Sequence, residues 1–186
     1  MTGEEILRIF RETGALLEGH FKLRSGAHSP IFFQSAVVLQ YPKYAEMLCG
    51  EIARRARKYD VTLVAGPAIG GVILSYEIAR QLGARAIFGE KDEKGGFKLR
   101  PGFVVKPGDR VLAVDDVLTT GGSLRKVIEL VESEGGRVVA VGCLIDRSGG
   151  KVDFGVPKIA LLTLDAPTYP PEECPLCKAG SVPIKP

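Results

Sequence analysis

Between Val111 and Ser123 the chain reads Val-Leu-Ala-Val-Asp-Asp-Val-Leu-Thr-Thr-Gly-Gly-Ser. An apolar run ends in two adjacent carboxylates, Asp115 and Asp116. Such a pair could engage ribose hydroxyls or help hold a hydrated divalent cation. Thr119, Thr120, Gly121, Gly122 and Ser123 then open an amphipathic stretch. Hydroxyls, glycines that let the backbone come close, and free N–H groups at a helix N-terminus suit a phosphate. A purely structural reading, a strand, a turn and a Ser-capped helix, accounts for Ser123 and one glycine. It leaves two acids beside two threonines unexplained. The segment is not a Walker P-loop, because no Lys follows the glycines, and it is not a G-x-G-x-x-G fingerprint.

The elements that must position these residues can be read from periodicity. Gly3 to Leu17 has helical spacing, with Ile6, Leu7, Phe10 and Leu17 able to share a face. Phe21–Leu23 and Ile31–Phe33 read as a hairpin or two short strands around Arg24-Ser25-Gly26. Pro42 suits a helix start, and Ala45, Leu48, Cys49, Ile52, Ala53 and Ala56 recur behind it at spacings of three and four. Val61–Ala65 and Ala84–Phe88 are continuous apolar strands flanking a helix over Val72–Leu82 that Gly83 ends. Arg110–Val114 is the next strand, with residues 115–122 as a loop. Leu124, Val127, Ile128 and Val131 form a helical stripe. Arg137–Ile145 and Val156–Leu164 complete the set. Apolar strands alternating with helices predict an α/β fold, a mostly parallel twisted sheet flanked by helices. Ligands in such sheets bind at the carboxyl ends of the strands. The unusual loops 66–71, 115–122 and 146–150 all follow strands and should converge there.

Residues 89–103 differ from the rest. They are polar, carry Lys91, Lys94, Lys98 and Arg100 around Gly95-Gly96, and read as a long mobile loop, which in a compact domain is usually functional or disordered.

The chain has 186 residues, enough for one domain with a full core. Its net charge of +3 does not point to a nucleic-acid partner, which calls for basic clustering. Neither a secretory leader nor an apolar stretch long enough to cross a bilayer is visible, so a cytoplasmic location is expected. Cys49 and Cys143 fall in apolar patterns and read as core thiols. Cys174 and Cys177 form a C-x-x-C, but a metal site needs four ligands and no second pair follows at suitable spacing. The pair therefore reads as a turn in a Pro-rich tail. His20 and His28 read as local hydrogen-bonding residues.

The Val111–Ser123 segment resembles the motif by which type I phosphoribosyltransferases bind 5-phosphoribosyl-1-pyrophosphate (PRPP). The resemblance covers nearly the whole chain and is closest to the orotate phosphoribosyltransferase family. Four stretches carry it: Phe21–Gly26 with Ser29-Pro30-Ile31-Phe32-Phe33, then Gly66-Pro67-Ala68, the loop from Glu90, and Asp146-Arg147. It implies a single phosphoribosyltransferase domain over residues 1–186, with an N-terminal hood over the base at about 1–40 and a mobile loop at about 90–103. It implies that Asp115 and Asp116 contact the ribose and that Thr119–Ser123 hold the 5-phosphate. Ala68, Ile69 and Gly70 would cradle the pyrophosphate, with Arg24 and Lys91 also on PRPP. Phe32, Phe33, Thr119 and Arg147 would bind orotate, Arg147 gripping its carboxylate. Lys91 and Lys94, with Asp116, are the catalytic candidates. Mg²⁺ is the implied cofactor, held through PRPP near Asp115 and Asp116 with no direct protein ligand assigned. A homodimer with the mobile loop shared across the interface is implied, with no nucleic acid or membrane partner.

This chain departs from some relatives at Arg24 and Gly70, where those carry Lys, and in the mobile loop, which lacks their His. Two alternatives stay open. A transferase for a purine or another base would share the PRPP motif. A PRPP-sensing regulator that binds nucleic acid would need a helix-turn-helix or a strong basic face.

Overall fold

The computed structural model describes every residue of the chain except Arg24 and Lys94. Its centre is a six-stranded sheet in the order β5-β4-β3-β6-β7-β8. The strands are β3 (Leu63–Pro67), β4 (Arg85–Lys91), β5 (Phe97–Leu99), β6 (Arg110–Leu118), β7 (Arg137–Asp146) and β8 (Lys158–Thr163). All neighbours run parallel except β5, which pairs antiparallel with β4 at one edge.

Period-two alternation sends the strand side chains to two cores. Val64, Leu112, Val114, Ala140 and Leu144 face α1 (Gly3–Glu12), α2 (Ser35–Leu39), α3 (Pro42–Ala56) and α4 (Gly70–Leu82). Leu63, Ala65, Val111, Ala113 and Val141 face α5 (Gly122–Ser133), which supplies Leu124, Val127 and Val131. Burial on both faces explains why these strands are apolar throughout, as expected from the sequence.

The chain leaves β3 toward β4 on one side and returns to β6 on the other. The strand order therefore reverses between β3 and β6, which makes a crevice at their carboxyl ends.

Three local expectations are corrected. α1 stops at Glu12 rather than Leu17, because Gly14 takes a left-handed φ of 71° and Leu17 belongs to β1 (Leu16–Lys22). β6 runs on to Leu118, so Asp115 and Asp116 lie within a strand, paired along β7, and not in a loop. Residues 89–103 are in large part a β4–β5 hairpin. The Asp92 carboxylate accepts from Gly96 N–H at 2.8 Å, and Phe97, Leu99 and Phe103 pack against the α5-side core.

The N-terminal hood is the antiparallel hairpin β1–β2, with β2 at His28–Phe33. A bulge interrupts it, since Glu18 faces Ile31 while Phe21 faces Ser29. The C-terminal tail runs along both its edges. His28 and Tyr169 exchange backbone bonds at 2.8 and 2.9 Å, and Ile184 bonds Lys22 N–H at 2.8 Å and His20 O at 2.9 Å. Between these contacts the tail forms a short helical turn, α6 (Pro175–Lys178). Among the described residues no helix is long and apolar enough to cross a membrane.

Candidate active site

β3 and β6 pair only as far as Ala65 and Ala113. Beyond that point β3 turns away through Gly66-Pro67, and the end of β6 keeps β7 as its neighbour but loses β3. Asp115 and Asp116 stand on this exposed end. The α4 N-terminus fills the gap: a Cβ built on Gly70 would lie 3.0 Å from the Asp116 carboxyl carbon. Larger residues at position 70 would crowd that acid. Gly66 and Gly71 approach as closely, with a Cβ on Gly66 meeting Gly71 O at 2.7 Å. Glycine at 70 and 71 is thus what lets loop 66–71 reach the acids.

By strand parity Asp116 faces the α4 side and Asp115 the α5 side. Asp115 is buried and Asp116 half-buried. Asp115 Oδ1 accepts from Asp116 N–H at 2.9 Å, and Asp116 Oδ1 accepts from Val117 N–H at 2.8 Å. No cation pairs with either among the described residues. Burial, with the neighbouring Asp116 charge, pushes the Asp115 carboxyl well above the usual carboxylate range. Two acids with oxygens to spare and no counter-charge suit a hard divalent cation such as Mg²⁺ and a polyol.

Two helices point uncapped N-termini at this crevice. α5 begins after Gly121 (φ 80°), and α4 after Ile69; neither has a side-chain cap. The sequence alternative of a Ser-capped helix therefore does not hold: Ser123 lies inside α5 and the cap position is Gly121. Thr119, Thr120, Gly122 and Ser123 are exposed, as are Ile69 (87%) and Gly70. Exposed N–H groups at a helix start attract anions. Two such ends flanking a pair of acids can take two phosphate groups on either side of a sugar.

Gly121 is fixed twice over. Its φ favours glycine, and an added Cβ would lie 2.9 Å from Val152 Cγ1 and 3.0 Å from the Phe154 ring. Gly121→Ala is expected to cost about 1–3 kcal/mol and to tilt the α5 N-terminus. A melting curve should show the lost stability, and a PRPP titration at least a severalfold weaker affinity. Unchanged values in both would mean that the loop accommodates a side chain and does not grip phosphate through this backbone.

The third loop closes the crevice from the β7 side. Asp146 is fully buried. Against the upward push of burial, its ion pair with Lys158 (2.7 Å) and the bonds from Ser148 Oγ (2.6 Å) and N–H (2.8 Å) hold its carboxyl below the usual range. This pinning, which no sequence pattern advertised, fixes the next residue. Arg147 N–H donates to Leu118 O at 2.8 Å, tying the loop to the end of β6.

The Arg147 side chain is only 7% exposed. Its Nη2 donates to Ser29 Oγ at 3.0 Å, with Ile31 O at 3.5 Å, and its buried Nε has no partner. No carboxylate pairs with it among the described residues. Burial pulls its pKa down. A guanidinium held this way has donors left for a planar anion. The Ser29 hydroxyl also reaches Ile31 O (2.9 Å) and Pro167 O (3.0 Å), so hood, loop and tail meet at this arginine.

The two hood aromatics separate. Phe33 is buried, edge-to-face with Phe10 at 5.7 Å, so its side chain belongs to the core and not to a ring-stacking wall. Consecutive strand residues face opposite ways, and only half-buried Phe32, 6.0 Å from Phe21, keeps side-chain surface for a ligand. Lys91 ends β4, exposed, and no hydrogen bond or ion pair links it to Asp115–Ser123 among the described residues. The Arg24 and Lys94 expectations lie outside the described residues.

Comparison with known proteins agrees with this geometry. The phosphoribosyl transferase domain model matches residues 40–154. An orotate phosphoribosyltransferase of Pelotomaculum thermopropionicum is 53% identical over 100% of this chain and 97% of the relative. One of Thermotoga maritima is 56% identical over 97% of this chain and 96% of the relative. The crystal structure of orotate phosphoribosyltransferase from Aeropyrum pernix superposes with a TM-score of 0.73 at 28% identity, over 86% of this chain and 93% of that one. The crevice at the β3–β6 reversal thus has relatives built on the same plan along their whole length, and the chain belongs to the orotate phosphoribosyltransferase family.

Proposed function

We infer that the chain transfers the phosphoribosyl group of PRPP to orotate, giving orotidine 5′-monophosphate and pyrophosphate, a step of pyrimidine nucleotide synthesis. The observation that carries the choice of base is Arg147: a buried, half-satisfied guanidinium at the mouth of the hood, next to the sugar-phosphate crevice. A carboxylated pyrimidine supplies the anion it lacks, and a purine does not.

Placement supports the following roles. The α5 N-terminus with Thr119–Ser123 holds the 5-phosphate. Ala68, Ile69 and Gly70 present α4 N–H groups to the pyrophosphate, and Asp115 and Asp116 grip the ribose hydroxyls between them. Arg147 orients the base by its carboxylate, Thr119 lies beside it, and Phe32 walls one side of the ring. The base nitrogen attacks C1 of the ribose as the C1–oxygen bond to pyrophosphate breaks, through a transition state with oxocarbenium character. Holding both reactants in line, away from water, is the protein's main contribution. Lys91, with Lys94 and Arg24, is proposed to meet the leaving pyrophosphate from the β4–β5 hairpin and the hood.

The uncompensated acids suit Mg²⁺, which when bound with PRPP would neutralise phosphate charge and template its oxygens. Calorimetric titration with PRPP should show binding that requires Mg²⁺ and vanishes with EDTA. Equal affinity without the ion would remove it from the proposal. We place the protein in the cytoplasm as a homodimer whose hairpin reaches the neighbouring site. Sedimentation reads the dimer directly, and a fully active monomer rules it out.

A further inference from the structure

Apart from the crevice residues, four side chains from distant parts of the chain meet inside the fold. His20 and His28 come from β1 and β2, and Cys174 and Cys177 from the tail. Their ligand atoms all lie within 4.8 Å of one another. His20 Nε2 is 3.1 Å from His28 Nδ1, 3.5 Å from Cys174 Sγ and 3.8 Å from Cys177 Sγ; Cys177 Sγ is 3.3 Å from His28 Nδ1. Tetrahedral zinc, with Zn–N near 2.0 Å and Zn–S near 2.3 Å, sets ligand atoms roughly 3.3–3.8 Å apart. These four spacings fall close to that range, and the remaining pairs, within 4.8 Å, need at most about an ångström of closure around an ion.

The surroundings favour a cation. His20, His28 and Cys174 are buried, and among the described residues no carboxylate belongs to the group. Two imidazole nitrogens and two sulfurs facing inward have few protons to share, and weak sulfur bonds compensate such burial poorly. The outer face of His20 is already set: Nδ1 lies 3.1 Å from Ser181 Oγ. An Nδ1–H donated to that hydroxyl leaves the Nε2 lone pair turned inward, an outer hydrogen bond of the kind that orients a ligating histidine. The β1 bulge between Glu18 and Phe21 adds the residue that brings His20 beside His28, ring centroids 4.9 Å apart. Cys174 caps the α6 turn that carries Cys177.

We propose that His20 Nε2, His28 Nδ1, Cys174 Sγ and Cys177 Sγ bind one zinc ion in a closed, structural Cys₂His₂ site that clamps the C-terminal tail to the hood. Four protein ligands leave no open position, so the ion does no chemistry on substrate. Its placement has a consequence for the hood all the same. His28 directly precedes Ser29, the hydroxyl that holds Arg147 and reaches Pro167 of the tail. The proposal does not depend on which base the enzyme uses.

The test is metal analysis of the full chain, purified reduced, without chelator or added metal. The expected result is about one zinc per chain, retained in Asp116→Asn and lost in Cys177→Ser. Replacement by Co²⁺ should give tetrahedral visible bands with a thiolate charge-transfer band, both absent in Cys177→Ser. Metal-free protein that takes up neither zinc nor Co²⁺ on titration overturns the proposal, whether Cys174 and Cys177 are then found as free thiols or as a disulfide. So does zinc that survives Cys177→Ser or disappears in Asp116→Asn, which places the ion elsewhere.

Discussion

Arg147→Met lowers kcat/KM for orotate by roughly 30-fold to several thousandfold, the range for truncating one partner of a buried charged pair at about 2–5 kcal/mol. The KM for PRPP stays near its original value, because the proposed phosphate and ribose contacts lie on β3, β6 and the two helix starts. Met is the informative replacement. It keeps the volume of the arginine stem, so the pocket does not collapse. The guanidinium is buried with only Ser29 as a close side-chain partner among the described residues, and its lowered pKa states that burial disfavours its charge. Removing it should leave the melting temperature of the free protein unchanged or raise it. Steady-state kinetics with each substrate varied, beside a melting curve, separates the cases. Equal losses toward both substrates would move Arg147 from the base to the general scaffold.

Asp115→Asn should behave in the same divided way, with an opposite pH signature for stability and activity. The folded-state pKa of Asp115 is raised by burial and by Asp116. The unfolded chain ionises it at the usual value of about 4. Below that value both states are protonated and the group's contribution to stability is fully present. As pH rises through the raised folded value, that contribution is lost. The Asn variant carries no such loss, and its amide oxygen can still accept from Asp116 N–H. Near pH 4 variant and parent should therefore melt together. At pH 8 the variant should melt higher, by roughly 2–4 °C for each kcal/mol recovered in a chain of this size. Activity goes the other way: without the carboxylate the ribose grip fails, and turnover falls by about a hundredfold or more. An Asn variant that is fully active, or less stable at pH 8 than at pH 4 relative to the parent, contradicts this account of the acids.

The acids stood out in the sequence itself, whereas Arg147 stood out only through the family resemblance. Two adjacent acids at the end of an apolar run oppose local folding preference, and such conflicts mark sites. The sheet was legible too, because its strands are buried on both faces and so are apolar throughout. What escaped was set by partners distant in sequence. Val117-Leu118 continue β6 past the acids only because β7 is there to pair with them. Phe32 and Phe33 look alike in the chain, but the pleat gives Phe33 to the Phe10 core and leaves only Phe32 for a ligand. Polar residues 89–103 fold back as a hairpin because Phe97 has a core to reach. The histidine–cysteine cluster shows the same limit at its widest. His20 and Cys174 are 154 residues apart, so a search for a second nearby cysteine pair could not find them. The one available hint was that the chain's two histidines stand eight residues apart across a predicted hairpin.

The central claim is tested most directly by mixing the purified protein with orotate, PRPP and Mg²⁺ and following the loss of orotate absorbance, with EDTA and an adenine reaction as controls. The account predicts consumption of orotate that needs PRPP, stops with EDTA, and finds no counterpart with adenine. Turnover of adenine in place of orotate, or PRPP binding with no turnover of orotate, would contradict the assignment of Arg147 to a carboxylated base.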